Sequence, residues 1–172
     1  MTGRGQLLAD FREWIEYVKE LERLSLEAWS RPVGPGKWSV KEVVSHIMLW
    51  DKTFCEEAIE RIYRDEPLTV RHLDYDRFNA DASRYGLAAS IQHLSDQSIR
   101  YRERIIDLIQ SLSEESYSRT YLDGDRQMFK VEQYLHDFIA HDRHHMKQIR
   151  SVLAADKSLL NRGSEPDGLA VM

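Results

Sequence analysis

"VEQYLHDFIAHDRHHMKQIRSVLAA", residues 131–155, decides how the chain folds. At roughly 100° per residue, Val131, Tyr134, Leu135, Phe138, Ile139, Met146, Ile149, Val152 and Leu153 share one broad arc, which predicts an amphipathic helix from about Lys130 to Ala155. His145 falls inside that arc and His141, one turn earlier, sits at its edge, so the two are neighbours at i, i+4. His144 and His136 point away from it.

Working outward, three more segments carry the same periodicity. Residues 6–29 place Leu7, Leu8, Phe11, Trp14, Ile15, Val18, Leu21 and Leu24 at helical spacing, stopped by "SRPVGPGKW". Ser39 with Glu42 three residues on forms a capping box, and the helix it opens should run to about Asp65, ended by Pro67. A third helix is expected over 87–111, with Leu87, Ile91, Leu94, Ile99, Tyr101, Ile105, Leu108, Ile109 and Leu112 as its apolar set. Between the second and third lies a long polar connection, "EPLTVRHLDYDRFNADASRYG", of the kind that is functional or carries a short helix of its own. An Asp-Gly turn signal precedes the fourth helix, and no strand pattern or repeat is evident.

Four such helices predict an all-α four-helix bundle over residues 1–156, with 157–172 as a flexible C-terminal tail. The connection is long enough for a crossover. The 172 residues suit one domain.

Composition narrows the function. A formal charge of −5 and a pI near 5.8 disfavour nucleic acid or an anionic membrane as the main partner. Cys55 is the only cysteine, so no intrachain disulfide forms. No stretch approaches the roughly 20 apolar residues of a membrane span, and the N-terminus is broken by charges. A cytoplasmic location is the expectation.

Metal sites in bundles are built from side chains projecting between facing helices. His46, in "VVSHIMLWDKTF", adjoins the stripe of Val43, Ile47, Trp50 and Phe54. Alone, it reads as a core histidine. Together with His141 and His145 it makes three inward imidazoles, which are costly to bury without partners and would be satisfied by a shared cation. His72 and His93 sit among polar residues and look solvent-facing. Asp142 lies at a core-facing angle, either orienting a ligand histidine or pairing with a basic residue such as Arg12 or Arg104. Asp137 and Gln148 flank the pair and read equally as cavity mouth or solvated surface. Trp38, Trp50, Phe78 and Asn79 read most simply as core or docking residues, and Cys55 as a buried, inert thiol.

"GKWSVKEVVSHIMLWD", "DYDRFNA" and "IAHDRHHMKQI", in that order, resemble the DinB-like superfamily of metal-binding four-helix bundles, which includes the YfiT-type proteins. The resemblance covers about residues 6–154. It implies a divalent metal held by His46, His141 and His145, with zinc or nickel foremost and iron, copper or manganese as further options. It also implies a small-molecule substrate and one of two activities. In one, a low-molecular-weight thiol (bacillithiol, mycothiol or glutathione) is activated as thiolate and transferred to an electrophile. In the other, a metal-dependent hydrolase activates water. A non-catalytic, stress-related metal-binding module is the third reading. The resemblance leaves a homodimer open without showing which face would pair, and assigns no further catalytic residue. A cavity with a polar or cationic clamp would favour thiol transfer; a closed site would favour a plain metal binder.

Overall fold

A computed structural model describes residues 3–162 except residue 73, with side chains described through residue 155. The expected bundle is present, built on α1 (Gly3–Glu22), α3 (Val40–Phe54), α6 (Ile91–Ser111) and α8 (Val131–Arg162). α8 carries helical backbone to Arg162; residues 163–172 of the expected tail lie outside the described residues.

Local chemistry sets the ends. The first helix stops at Glu22 instead of reaching 29, because Ser25 caps a separate turn, α2 (Leu26–Trp29), by accepting from Ala28 N at 3.3 Å. Trp29 Nε1 then donates to Leu21 O at 2.8 Å and folds α2 back on the end of α1. α3 opens with the expected capping box: Ser39 Oγ accepts from Glu42 N, and Glu42 Oε2 accepts from Ser39 N at 2.7 Å. It passes through a π-helical turn (Cys55–Ile59) into α4 (Glu60–Tyr63), and Asp65 leaves the helical region at φ 57°.

The polar connection holds more order than its composition suggests. α5 (Tyr75–Ala88), capped by Asp74, lies along α3, and α6 begins only after Ser90, which caps it. Leu87 therefore belongs to the end of α5 and is 60% exposed, not in the core set expected for it. After α6 come a short α7 (Glu114–Ser118) and a two-stranded hairpin, β1 (Tyr121–Leu122) and β2 (Met128–Phe129), with Tyr121 opposite Phe129. The strands were not expected; the Asp123-Gly124 turn between them was.

The order of the helices around the bundle is not sequential. α1 packs on α6 and α8, and so does α3, leaving α1 and α3 on a diagonal. Directions follow from paired residues. Phe11 meets Tyr134, Glu13 meets Arg143 and Tyr17 meets Arg150, so α1 and α8 are parallel. His46 meets His141, Trp50 meets Phe138 and Phe54 meets Tyr134, so α3 and α8 are antiparallel. Arg4 reaches Ile109 O and Arg102 reaches Phe11, so α1 and α6 are antiparallel, and α3 and α6 run the same way. Two parallel neighbours in succession require a crossover, which the α5 connection provides.

The core is divided. One apolar cluster gathers Phe11, Ile15, Cys55, Ile59, Ile105, Ile109, Leu135 and their neighbours; the other gathers Trp14, Val18, Val44, Ile47, Leu94, Met146 and Ile149. On α3, α6 and α8 the boundary is marked by buried polar residues: Asp51, Ser98 and Arg102, and Asp142. Among the described residues no helix is long and apolar enough to cross a membrane.

Candidate functional site

His46 sits in the second turn of α3, and His141 and His145 are one turn apart on the facing, antiparallel α8. The fold brings all three together. His46 Nε2 lies 3.1 Å from His141 Nε2, His145 Nε2 lies 3.2 Å from it, and one nitrogen from each ring falls within 4.8 Å of the others. Burial, reinforced by the neighbouring rings, pushes His46 down to about 3. Burial also lowers His141 and His145 to about 4, so at neutral pH all three are neutral.

That arrangement is hard to satisfy with protons alone. A neutral imidazole nitrogen offers one hydrogen or one lone pair, yet His141 Nε2 faces two other ring nitrogens. His46 Nδ1 and His141 Nδ1 are buried without a partner. Asn79 lies close enough to His46 to favour its charged form, although neither Asn79 Oδ1 nor His46 Nδ1 reaches hydrogen-bonding geometry with a partner. His145 Nδ1 is 3.1 Å from Gln148 Oε1, which orients its Nε2 toward the cluster. The donor set, three convergent neutral imidazole nitrogens, suits a divalent first-row metal.

The histidines line a cavity of about 470 Å³ shared with Trp38, Trp50, Phe54, Tyr75, Asn79 and Phe138. Trp38 lies 5.1 Å from the His46 ring, and Phe138 5.7 Å from His141. Trp50 packs at 4.1 Å, tilted by 32°, against Phe78 of α5. Trp38, Trp50 and Asn79, read from sequence as core or docking residues, therefore wall the site. A second cleft, about 190 Å³, shares Trp50, Phe54 and Tyr75 with the first and continues to Arg71, His72, Lys130, Gln133 and Asp137.

The other histidines do not converge on the cluster, although the His144 ring lies 5.4 Å from that of His145. His72, His93, His136 and His144 are exposed. Cys55 is fully buried, and burial pushes its thiol up to about 12, so it is inert as expected. Asp142 is paired, but with Arg102 and not with Arg12 or Arg104; Arg104 pairs with Glu60.

Arg102 and Asp51 were missed in the sequence. Arg102 uses all five donors: Nε and Nη2 to Asp51 (2.9 and 3.1 Å), Nη1 and Nη2 to Asp142 (2.7 and 3.3 Å), and Nη1 to Phe11 O (2.9 Å). Its guanidinium also stacks 3.8 Å above the Phe11 ring. From α6 it thus ties α1, α3 and α8 together. Burial pushes Asp51 up to about 6 and raises Asp142, while Arg102 pulls both back toward the ionised form.

Fold and site together define an all-α bundle with an open, histidine-floored pocket. The chain belongs to the DinB superfamily, whose family profile matches residues 11–149. It is 26% identical over 151 residues to the uncharacterized protein YuaE of Bacillus subtilis strain 168, covering 80% of this chain and 91% of YuaE. Among solved structures it is similar to YfiT of Bacillus subtilis, described as a probable metal-dependent hydrolase with an unusual four-helix bundle topology. That match has a TM-score of 0.72 at 16% identity, over 90% of this chain and 87% of YfiT. It is also similar to the mycothiol-dependent maleylpyruvate isomerase, with a TM-score of 0.67 at 13% identity over 85% of this chain. The chain spans only 60% of that isomerase. At these identities the two structures speak to the fold.

Proposed function

We propose that the protein is a divalent-metal-dependent transferase for a low-molecular-weight thiol, with His46, His141 and His145 holding the ion. The observation that carries this reading is the two-part cavity: the histidines floor an open aromatic chamber that adjoins a second cleft lined by both aromatic and charged residues. A plain metal binder has no need of such space. Hydrolysis, the activity attributed to YfiT, needs one substrate and water; transfer needs a thiol and an electrophile, and two adjoining chambers suit two molecules. Use of mycothiol by the structurally similar isomerase supports the same class of cosubstrate.

Once bound, a divalent ion would supply the positive charge that stabilises a thiolate at neutral pH. The chain's residues do the rest. Gln148 fixes the His145 ring through Nδ1, leaving Nε2 toward the cavity. Trp38, Trp50, Phe54 and Phe138 exclude water around the reacting groups and accept an apolar electrophile against their faces. Arg71 and Lys130 at the far cleft, which also carries Asp123 and Asp137, provide cationic contacts for a thiol that bears both carboxylate and ammonium groups.

The test is elemental analysis of the purified protein beside His46→Ala and His145→Ala, followed by assay of thiol conjugation. The reading expects about one divalent ion per chain, lost in both variants, and thiol-dependent conjugation of an electrophile such as 1-chloro-2,4-dinitrobenzene by the loaded protein. A native protein that takes up neither zinc nor nickel would overturn it. Metal-dependent ester hydrolysis with no thiol transfer would move the assignment to a hydrolase.

A further inference from the structure

We propose that Asn79 is a positioning residue for His46: its Oδ1 accepts the Nδ1 proton of the ring and so turns the Nε2 lone pair toward His141 and His145. The purpose of that orientation rests on the metal reading above; the orientation itself does not.

α5 brings Asn79 to the ring. Asn79, Ala82 and Gly86 follow one another at helical spacing and share the face of α5 that meets α3. Two contacts pin that face beside His46. Ser45, its neighbour in the chain, donates from Oγ to Ala82 O at 2.7 Å. Trp50, one turn further along α3, meets Phe78. His46 falls between Ser45 and Trp50 on α3, and Asn79 between Phe78 and Ala82 on α5. Asn79 accordingly lines the histidine cavity and is close enough to act on the His46 ring.

Chemistry selects the atoms. His46 Nδ1 and Asn79 Oδ1 are both buried, and among the described residues neither has another hydrogen-bond partner. A buried donor or acceptor left unpaired is costly. These two are complementary, since an imidazole N–H donates and a carboxamide oxygen accepts. A neutral imidazole with its proton on Nδ1 keeps its lone pair on Nε2, and His46 Nε2 is the atom that lies 3.1 Å from His141 Nε2. His145 shows the same device, with Gln148 Oε1 at 3.1 Å from its Nδ1. Two carboxamides, one on α5 and one on α8, thus orient two of the three rings from behind.

The test reads the tautomer first. Long-range proton–nitrogen NMR correlation on the metal-free full chain at neutral pH shows which nitrogen of His46 carries the proton, and the proposal expects Nδ1. A proton on Nε2 would overturn it, because the carboxamide would then be turned so that Nδ2 donates to the ring. Asn79→Leu removes the acceptor at similar volume, and Asn79→Asp restores it. Zinc affinity of both is measured by competition with a chelating dye, after circular dichroism confirms folding. The proposal expects Asn79→Leu to lose the preference for Nδ1 and to bind zinc about tenfold or more weakly, with Asn79→Asp no more than about threefold below native. Native tautomer and affinity in folded Asn79→Leu would overturn it. So would an Asn79→Asp as weak as Asn79→Leu, which would make the residue a packing element. If Asn79→Leu fails to fold, the tautomer of the native protein decides. A native protein with no zinc affinity would overturn the metal reading, and the tautomer would still decide the role of Asn79.

Discussion

Replacing Arg102 by Met should expose how much of the bundle hangs on one side chain. The substitution keeps an unbranched apolar stem and removes the guanidinium, with its charge and five hydrogen bonds. Removing one partner from a buried ion pair costs about 3–5 kcal/mol, because the other charge stays behind without compensation. Here two carboxylates are stranded, at 0% and 4% side-chain exposure, and Phe11 O loses its side-chain donor. A loss of about 4 kcal/mol or more follows, and for a chain of this size roughly 2–4 °C per kcal/mol puts the fall in Tm at about 8–16 °C. The deficit must depend on pH. Without Arg102, burial raises both carboxyl pKa values above the unfolded reference of about 3.9. The folded variant then binds more protons than the unfolded chain between that value and the raised one, so its stability falls as pH rises through that window. The variant should lie closer to native at pH 5 than at pH 8. Thermal and urea melts followed by circular dichroism at both pH values decide it. A Tm within about 2 °C of native at pH 8, or a deficit that ignores pH, would refute the assignment of two ionised, Arg-dependent carboxylates.

Two further outcomes follow from the site and its roof. The metal-free protein should lose stability as pH falls from 6.5 toward 4, because the folded histidines, at about 3 to 4, bind fewer protons there than the unfolded chain does. A pH series of melts should show that slope, and His145→Gln should flatten it; an unchanged slope would count against the depressed rings. Gly86→Ala should push α5 off α3, since a Cβ there would lie 2.7 Å from Ser45 Cβ and 3.2 Å from Lys41 O. A cost of about 1–3 kcal/mol is expected, with a shift in tryptophan emission as Phe78 leaves Trp50. Native emission and stability would show that α5 is not held by this close approach.

What the sequence disclosed, and what it hid, follows from how each residue is buried. The convergence of the histidine trio was legible because α8 is one uninterrupted helix: a fixed angular period carries from Val131 to Leu153, and His141 and His145 can be placed on it. Arg102 was harder to see, although it lies on the line Leu94–Ser98–Arg102–Ile105–Ile109, because a charged residue is ordinarily assigned to water. Only the two carboxylates on other helices make its burial tolerable, and they lie 51 and 40 positions away in the chain. α5 was hidden for a different reason. It meets α3 closely through the small residues Ala82 and Gly86, with Tyr75 and Phe78 against Trp50 at its first two turns only, so its contact face leaves no continuous stripe of large apolar residues to find. Trp38 and Trp50 pack against the core as expected, and their second role as cavity wall was hidden because only one side of each faces the pocket. The hairpin, with two residues per strand, is too short to show an alternation.

The crossover topology bears on how the molecule comes into being. His46 and His141 stand 95 positions apart in the chain, and the helix that carries the second also carries the third. During synthesis His46 emerges early and must wait for the connection, α6 and the hairpin before α8 can dock antiparallel to it. Before α8 emerges the chain holds one member of the trio; α8 brings the i, i+4 pair, and its docking adds His46. Because α8 also lies parallel to α1, the first described helix, its docking closes the longest-range contacts of the bundle in the same event that assembles the pocket. Completion of the fold and competence of the site are one step.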